Sequence, residues 1–298
     1  MTREKNNLNI HTTPTSIPST LPLNKNKFTL SAKELTELAK KLRRHVITMI
    51  ATAGSGHPGG SLSAADIIAV LYFKVMRYDP QDPQWPERDR FILSKGHAAP
   101  ILYAALAESG YFPVEELTTL RKLNSRLQGH TDRTTTPGVE MSAGALGQGL
   151  SFGIGTALAA RLDARDYQVY VLLGDGECDE GQIWEAAMAA AYFKVDNLVA
   201  IIDRNKQQLD GWTQDIMNLE PLTEKWRAFN WYVIEIDGHN IDQIQQAIEE
   251  AETIKGKPSV IIAHTVKGKG VSFMENNIDF HGKAPTPEQA ELALRELS

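Results

Sequence analysis

The amino-acid sequence predicts an α/β protein with a parallel β-sheet and helices on both faces of that sheet. Short apolar segments rich in Val, Ile and Leu alternate with segments of helical periodicity, above all between residues 167 and 264. Strands buried on both faces have this near-continuous apolar character, whereas strands with one wet face alternate apolar and polar residues. A chain of 298 residues, 42% of them hydrophobic, is long enough to form such a core.

The N-terminal 30 residues differ in composition from the rest of the chain. They are rich in Asn, Thr, Ser, Lys and Pro, and they contain no apolar run typical of a secretory signal. We therefore predict a flexible tail over residues 1–30 and a folded domain over residues 31–298. Ser31 and Glu34 have the spacing of a helix capping box, and apolar residues follow at helical intervals. The domain is thus expected to begin with a helix.

That first helix is expected to end near Ala53, because a glycine-rich loop over residues 54–60 follows it. The apolar periodicity then predicts a second helix from Ser61 to Val75, and a further helix is expected to open at Ser94–His97. Other helices are predicted at 114–123, 182–193 and 241–251. Residues 142–162 form a separate segment that is rich in Gly and Ala. The predicted strands are 91–93, 167–173, 198–203, 231–236 and 259–264.

Charge and cysteine content exclude several classes of function. Thirty-one basic and 37 acidic residues give a net charge of -6, so charge alone does not attract the chain to nucleic acid or to an anionic membrane. No window approaches the roughly 20 apolar residues that span a bilayer. Cys178 is the only cysteine, which rules out an intrachain disulfide and fits a reducing compartment. We expect a cytoplasmic protein that binds neither nucleic acid nor membrane.

Residues 54–59 match the dinucleotide-binding pattern G-x-G-x-x-G by letter. The pattern requires a preceding strand and an acidic residue about 20 positions later at the end of the next strand. Here an amphipathic helix precedes it, and a proline-rich connector follows. The match is therefore interpreted as accidental.

Two polar residues follow neighbouring predicted strands and form the principal candidate site. Asp175 lies between two glycines after the strand at 167–173, and Asn205 follows the strand at 198–203. The carboxyl ends of parallel strands form the ligand-binding edge of such sheets. Carboxylate and amide oxygens suit a hard divalent cation, and flanking glycines allow an anionic ligand to approach the backbone. Each piece alone is more typical of an ordinary turn, whereas the pair in this order and spacing favours a shared cation site.

The order of these motifs resembles the thiamine diphosphate enzymes, in which Gly-Asp-Gly is followed about one βα unit later by Asn. Further segments resemble transketolase in particular, and the resemblance covers nearly all of the chain after the tail. These segments are Gly56-His57-Pro58-Gly59-Gly60, Asp89 to Ala98 with Ser94-Lys95-Gly96-His97, Gly144 to Gly149, and Phe280-His281-Gly282. The chain departs from the family pattern at Thr131 and Asp132, and at Ala145 where Pro is common.

The resemblance implies roles for particular residues. Asp175, Asn205 and the backbone carbonyl of Gln207 would hold Mg²⁺, for which Ca²⁺ or Mn²⁺ can substitute, against the diphosphate of thiamine diphosphate. His57, His130 and His281 would be catalytic residues that manage protons at sugar hydroxyls. Candidate cofactor-binding residues are His97, Gly144, Leu146, Gly176, Glu180, Asn205 and His281.

Other polar residues receive more modest interpretations. Glu180 and Glu185 match acids near a dimer interface, although both are equally interpreted as solvated residues of a helix's first turn. No chemistry is assigned to Cys178. The basic segment Lys267–Gly270 is expected to be a mobile loop, with contact to phosphate as the alternative. His11, His45, His239 and His264 are not assigned to the site.

The resemblance also implies a partner, since long transketolases continue into a pyrimidine-binding domain that supplies an activating Glu. We expect the chain to be inactive alone and to act as the N-terminal subunit of a split transketolase, in an α2β2 heterotetramer with a separate C-terminal subunit. The expected reaction transfers a two-carbon ketol unit from a ketose phosphate to an aldose phosphate. Two alternatives stay open: an enzyme similar to 1-deoxyxylulose-5-phosphate synthase, and a non-catalytic thiamine diphosphate-binding or regulatory module.

Overall fold

A five-stranded parallel sheet forms the centre of the protein. The structure, a computed structural model, describes residues 30–298; the predicted tail lies outside the described residues, apart from Leu30. Every strand pair in the sheet is parallel, and the strand order is β1-β2-β3-β5-β4. The sheet confirms the predicted fold class. The strands are β1 (Arg90–Leu93), β2 (Val169–Gly174), β3 (Leu198–Arg204), β4 (Tyr232–Asp237) and β5 (Ser259–His264).

Helices cover both faces of this sheet, as the apolar character of the strands predicts. Short 3₁₀ helices at Gly96–Ala98, Val114–Thr119, Gly176–Asp179 and Ile278–His281 connect several elements. The α-helices are α1 (Ala32–Ala53), α2 (Pro58–Ser63), α3 (Ala65–Val70), α4 (Ala99–Glu108), α5 (Gln148–Leu162), α6 (Gly181–Tyr192), α7 (Thr213–Ile216), α8 (Leu222–Ala228), α9 (Ile241–Thr253) and α10 (Pro287–Glu296).

Alternate residues of the strands point into two separate cores. Tyr170 and Leu172 of β2 belong to the core formed with α1, α3, α4 and α9. Val169, Val171 and Leu173 belong to the core formed with α5, α6 and α8. Because successive side chains of a strand point to opposite faces, one apolar strand supplies both cores.

The capping box predicted for α1 is present. The Glu34 amide donates to the Ser31 hydroxyl at 3.3 Å, and the Ser31 amide donates to the Glu34 carboxylate at 2.7 Å. Gly54 ends the helix with a φ of 63°, a left-handed conformation that glycine adopts without steric cost. Both limits of the helix therefore follow from local chemistry.

Several predicted elements have different limits in the structure. The second helix begins at Pro58 rather than Ser61, breaks at Ala64, and ends as a π-helical segment at Leu71–Val75. Proline at a first helical position lacks only an amide hydrogen that the helix does not use, which explains the earlier start. The helix predicted over 114–123 is a 3₁₀ helix over 114–119. No helix within residues 30–298 is sufficiently long and apolar to cross a membrane.

Candidate functional site

A cavity of about 350 Å³ lies at the carboxyl ends of β1, β2 and β3. It forms there because β2 and β3 are neighbours, with Gly174 paired with Asp203, so the residues that follow both strands emerge at one edge. The structure brings eight of the predicted site residues to the walls of this cavity. They are His97, Leu146, Asp175, Gly176, Glu180, Asn205, Gln207 and His281.

Asp175 is 1% exposed and is held by several donors. Its Oδ1 accepts from the Gly176 amide at 2.8 Å, and its Oδ2 accepts from Arg204 Nη1 at 3.0 Å and from the Lys206 amide at 2.5 Å. Burial, together with the nearby Asp203 carboxylate, raises the pKa of Asp175, while Arg204 opposes that change. A positive group beside Asp175 would therefore favour its ionised form.

Asn205 and Gln207 place neutral oxygens at the same edge. The Asn205 side-chain oxygen accepts from the Gln207 amide at 3.1 Å. The Gln207 backbone carbonyl accepts from Lys267 Nζ at 3.3 Å, and the buried Gln207 Oε1 has no hydrogen-bond partner. Carboxylate, amide and carbonyl oxygens form the donor set that Mg²⁺ prefers. These residues fit a hard cation.

The proposed donor set contains a single carboxylate, although Glu177, Asp179, Glu180 and Asp210 also line the cavity. Among residues 30–298 no group of three or more His, Cys, Asp or Glu side chains is arranged to hold a metal ion. Asp175 would be the sole carboxylate of the set formed with Asn205 and Gln207. Since Mg²⁺ commonly completes its coordination with phosphate oxygens and water, the site suits a cation that arrives with a phosphorylated ligand.

Two buried lysines give the cavity a cationic wall. Lys95, 1% exposed, donates to the Gly60 carbonyl at 2.9 Å and pairs with Asp203. Lys267, 2% exposed, lies between the Gln207 carbonyl and Nδ1 of His281. Asp203 compensates the charge of Lys95, whereas the hydrogen bonds of Lys267 among the described residues go to neutral groups, so Lys267 in particular favours an anionic ligand.

The position of Lys267 corrects the expectation of a mobile basic loop, because this side chain is buried in the cavity wall. Lys95 closely follows β1, which ends at Leu93, and Lys267 closely follows β5, which ends at His264. Both lie at the sheet edge that also carries Asp175. The rule that the carboxyl ends of parallel strands bind ligands therefore applies to both lysines. Their positions were the available signal in the sequence.

Glycine leaves room for a ligand in the same wall. A Cβ atom added to Gly60 would lie 3.3 Å from Nε2 of His97 and 3.4 Å from Nζ of Lys95. Any side chain at this position would press against both polar groups. The backbone at residue 60 can therefore come close to a ligand that His97 and Lys95 also contact.

Four histidines form a cluster beside the cavity. The ring centroid of His57 lies 5.4 Å from that of His97, 5.9 Å from that of His130 and 5.7 Å from that of His281. His57 and His130 do not line the cavity itself, and Gly144 is exposed and also lies outside its walls. His57 Nδ1 is buried and has no hydrogen-bond partner.

Burial and neighbouring positive charges keep these imidazoles neutral. Burial lowers the pKa of His57 to about 4, with Arg121 and His130 adding to the effect. Burial and Lys267 lower the pKa of His281 to about 3. The pKa values of His97 and His130 are lowered as well, mainly by burial. Neutral imidazoles both accept and donate protons, which suits contact with hydroxyl groups.

Arg121, which the sequence analysis did not single out, lies next to this cluster. Its Nη1 donates to Ser55 Oγ at 2.9 Å, and its backbone has a φ of 60°. Its charge lowers the pKa of both His57 and His130. Arg121 occupies an irregular turn, so no strand end or motif indicated its position.

Three of the unassigned histidines and Cys178 lie elsewhere, in polar or apolar contacts. His45 pairs with Glu108 at 2.6 Å, and His264 pairs with Glu235 at 3.1 Å. His239 Nδ1 lies 2.7 Å from Asp66. Cys178 is buried, which raises the pKa of its thiol. His11 lies outside the described residues.

A parallel α/β sheet whose strand ends combine hard oxygen donors, buried lysines and neutral histidines is typical of the class of α/β proteins that bind phosphorylated ligands. Residues 35–296 match the family model described as transketolase, thiamine diphosphate binding domain. The chain belongs to the transketolase family, and the match lies in its thiamine diphosphate-binding domain.

Curated relatives fall into two groups by length. The chain is 50% identical over 264 residues to the 6-deoxy-6-sulfo-D-fructose transketolase subunit SqwG of Clostridium sp. (strain MSTE9), covering 89% of this chain and 96% of that one. It is 45% identical to a subunit of the apulose-4-phosphate transketolase of Phocaeicola vulgatus, covering 87% and 92% of the two chains. Human transketolase is 42% identical, and the match covers 88% of this chain and 42% of the human protein.

Solved transketolase structures also match nearly all of this chain over less than half of their own length. Transketolase from Campylobacter jejuni superposes with a TM-score of 0.85 at 35% identity, covering 90% of this chain and 43% of that chain. A Pichia stipitis transketolase in complex with sedoheptulose-7-phosphate gives a TM-score of 0.84 at 34% identity, covering 90% and 41%. The chain spans less than half the length of these solved transketolases.

Proposed function

We propose that this protein is the thiamine diphosphate-binding subunit of a two-chain transketolase. The observation that carries the proposal is the cavity in which Asp175, Asn205 and Gln207 face two buried lysines, next to four histidines. The cation of a phosphorylated cofactor would contact Asp175, Asn205 and Gln207. The phosphate groups of that cofactor would face the two lysines. Neutral histidines beside it are suited to a hydroxylated substrate.

In this proposal the chain binds and orients the cofactor. Asp175, Asn205 and the Gln207 carbonyl would hold Mg²⁺, and Gly176 would contact the diphosphate of the cofactor. The backbone of Gly144 and Leu146 would contact the aminopyrimidine ring, with Gly144 reaching it from outside the cavity walls, and Glu180 lines the cavity. When bound, thiamine diphosphate supplies the carbanion chemistry that breaks and forms the carbon–carbon bond of a ketose.

The histidines handle protons at the substrate. His57, His130 and His281 accept or donate protons at hydroxyl groups of the ketose donor and the aldose acceptor. His97, whose ring centroid is 5.3 Å from that of His281, contributes on the diphosphate side. The net reaction is transfer of a two-carbon ketol unit between sugar phosphates. The sulfo-sugar and apulose phosphate named for two relatives make related ketoses reasonable donors to test.

A partner chain completes the proposed enzyme. Three relatives that match over nearly their whole length are named as subunits, which supports a partner here. Apolar side chains are also exposed on α5, on α6 and its following residue, and on the segment after β3. Leu209, in the segment after β3, lines the cavity. Large exposed apolar areas typically mark interaction surfaces. These residues are Phe152, Leu162, Met188, Tyr192, Phe193, Leu209, Trp212, Ile216 and Met217.

Cofactor binding is tested first on the chain alone. Titration calorimetry should detect thiamine diphosphate binding that depends on Mg²⁺, and Asp175→Ala should weaken it at least about tenfold. Asp215→Ala removes an exposed carboxylate on α7 and should leave the affinity unchanged. Equal affinity of wild type and Asp175→Ala would contradict the assigned cation site.

Partner dependence needs a separate assay. The purified chain with cofactor and Mg²⁺ should transfer ketol units from a ketose phosphate only after addition of a pyrimidine-binding transketolase chain. Light scattering of the mixture should give the mass of an α2β2 assembly. Transfer by the chain alone at enzymatic rates would show that no partner is required.

A further inference from the structure

Asp203 lies behind the proposed cation site and does not line the cavity. It is 0% exposed, and its carboxylate accepts hydrogen bonds from four side chains. Ser63 Oγ donates at 2.6 Å, Asn205 Nδ2 donates at 3.2 Å, and Lys95 Nζ and Thr265 Oγ1 donate as well. These donors come from α2, from the end of β3, and from the residues that follow β1 and β5.

The contact with Asn205 decides which way its amide group faces. An ionised carboxylate only accepts hydrogen bonds, so the amide nitrogen of Asn205 is the atom that must point towards Asp203. The amide oxygen then points away from Asp203. That oxygen already accepts from the Gln207 amide, which agrees with the same orientation.

Lys95 has a different relationship to the same carboxylate. Its ammonium is buried, and Asp203 is the acid with which it pairs. Without Asp203 the buried charge of Lys95 would lack this partner, which is costly. Asp203 therefore either serves only to compensate Lys95 or also orients Asn205.

We propose that Asp203 is a positioning residue that holds the Asn205 amide with its oxygen directed to the cation. This inference rests on the proposed function, because it assumes that Asn205 is a cation ligand. Groups that orient metal ligands by hydrogen bonds typically change metal affinity by roughly 10- to 100-fold when they are removed.

Two double variants separate orientation from charge compensation. Both variants contain Lys95→Met, and they differ only in having Asp203→Asn or Asp203→Leu. Both therefore lack the ion pair, and the side chains of Asn and Leu have the same number of non-hydrogen atoms. Replacing a buried ion pair as a unit by uncharged residues is often tolerated in folding. Of the two, the Asp203→Asn double variant alone keeps an oxygen that can accept from Asn205 Nδ2.

The measurement is Mn²⁺ binding by electron paramagnetic resonance, with thiamine diphosphate present and with the full chain. The double variant with Asp203→Leu should bind Mn²⁺ roughly 10- to 100-fold more weakly than the double variant with Asp203→Asn. Equal affinity of the two variants would overturn the positioning role and leave Asp203 as a charge partner of Lys95. If the wild type binds no Mn²⁺, the proposed function fails, and the inference fails with it.

A second measurement on the wild-type chain does not depend on the folding of any variant. The side-chain NH₂ of Asn205, when held by Asp203, should exchange its protons with solvent slowly in NMR spectra. Addition of Mg²⁺ and cofactor should shift the adjacent carbonyl carbon while leaving that exchange slow. Rapid exchange in the free chain would show that the amide is not fixed, and would overturn the inference.

Discussion

The side-chain nitrogen of Lys267 lies 2.8 Å from Nδ1 of His281. An ammonium group only donates hydrogen bonds, so Nδ1 is the acceptor, and the proton of the neutral ring sits on Nε2. Burial and Lys267 together lower the pKa of His281 to about 3, and burial lowers the pKa of Lys267 to about 8. Lys267 thus determines the tautomer of a proposed catalytic histidine and adds to the effect of burial on its pKa.

Replacement of Lys267 by Met should raise the pKa of His281 by about one pH unit, because a positive neighbour is lost while burial remains. NMR titration of the ring nitrogens measures this pKa directly. Lys269→Met is the matched control, since its side chain is 37% exposed and its ammonium lies 3.6 Å from Glu275. An unchanged His281 pKa in the Lys267 variant would mean that burial alone keeps the ring neutral.

Glu177 links three parts of the candidate site. Its Oε1 accepts from the Gly147 amide at 2.9 Å and from Ser94 Oγ, and its Oε2 accepts from the Gly174 amide at 2.9 Å. The carboxylate therefore ties the ends of β1 and β2 to the start of α5. It is 2% exposed, so its donors have little access to water.

Glu177→Ala should destabilise the fold by about 3 kcal/mol, because it leaves up to three buried donors without their acceptor. Urea unfolding followed by circular dichroism gives the free energy of unfolding. Glu185→Ala, at an exposed position on α6, should change this free energy by less than about 0.5 kcal/mol. A similar small change for both variants would show that other groups replace the Glu177 carboxylate.

Two glycines of α5 should respond to alanine in opposite directions. A Cβ atom on Gly153 would lie 2.6 Å from Val171 Cγ2, so Gly153→Ala should push α5 from the sheet and cost about 1–3 kcal/mol. A Cβ atom on Gly155 has no atom within 4 Å, and Gly155→Ala should stabilise the helix by about 0.5–1 kcal/mol. Urea unfolding of both variants checks the signs. Equal signs would contradict the described packing of α5.

The sequence was sufficient where local chemistry determines structure. The cap of α1 at Ser31 and the apolar strands follow from residues close in the chain. The meeting of Asp175 and Asn205 at one cavity follows from the rule for parallel sheets once β2 and β3 are neighbours. The roles assigned to these residues stay predictions.

Tertiary packing decides the features that the sequence did not reveal. Gly59 and Gly60 were expected to form a loop, yet both are helical and buried in α2. A Cβ atom on Gly59 would lie 3.0 Å from the Phe280 carbonyl oxygen, so packing selects glycine here despite its low helix propensity. Likewise, Lys267 looked like an exposed loop residue because its buried partners, Gln207 and His281, are distant in sequence. Such long-range contacts leave no local pattern.

The neutral histidines also predict how stability depends on pH. The pKa values of His57 and His281 are about 4 and about 3 in the folded chain, below the ordinary value near 6.5. Between these values the unfolded chain binds protons that the folded chain does not, so stability is lost as the pH falls below about 6.5. Buried carboxyl groups with raised pKa values, such as Asp175 and Glu177, act in the opposite direction.

A comparison of variants isolates the histidine contribution from that of the carboxyl groups. His57→Gln with His281→Gln removes two groups that the unfolded chain protonates, and the carboxyl contribution remains in both proteins. Between about pH 7 and 5 the double variant should lose about 1–2 kcal/mol less stability than the wild type, allowing for partial solvent exposure. His264→Gln, at a side chain that is 47% exposed, serves as the control. Urea unfolding at several pH values gives these slopes. Parallel slopes for wild type and double variant would show that His57 and His281 bind protons equally in the folded and unfolded chains.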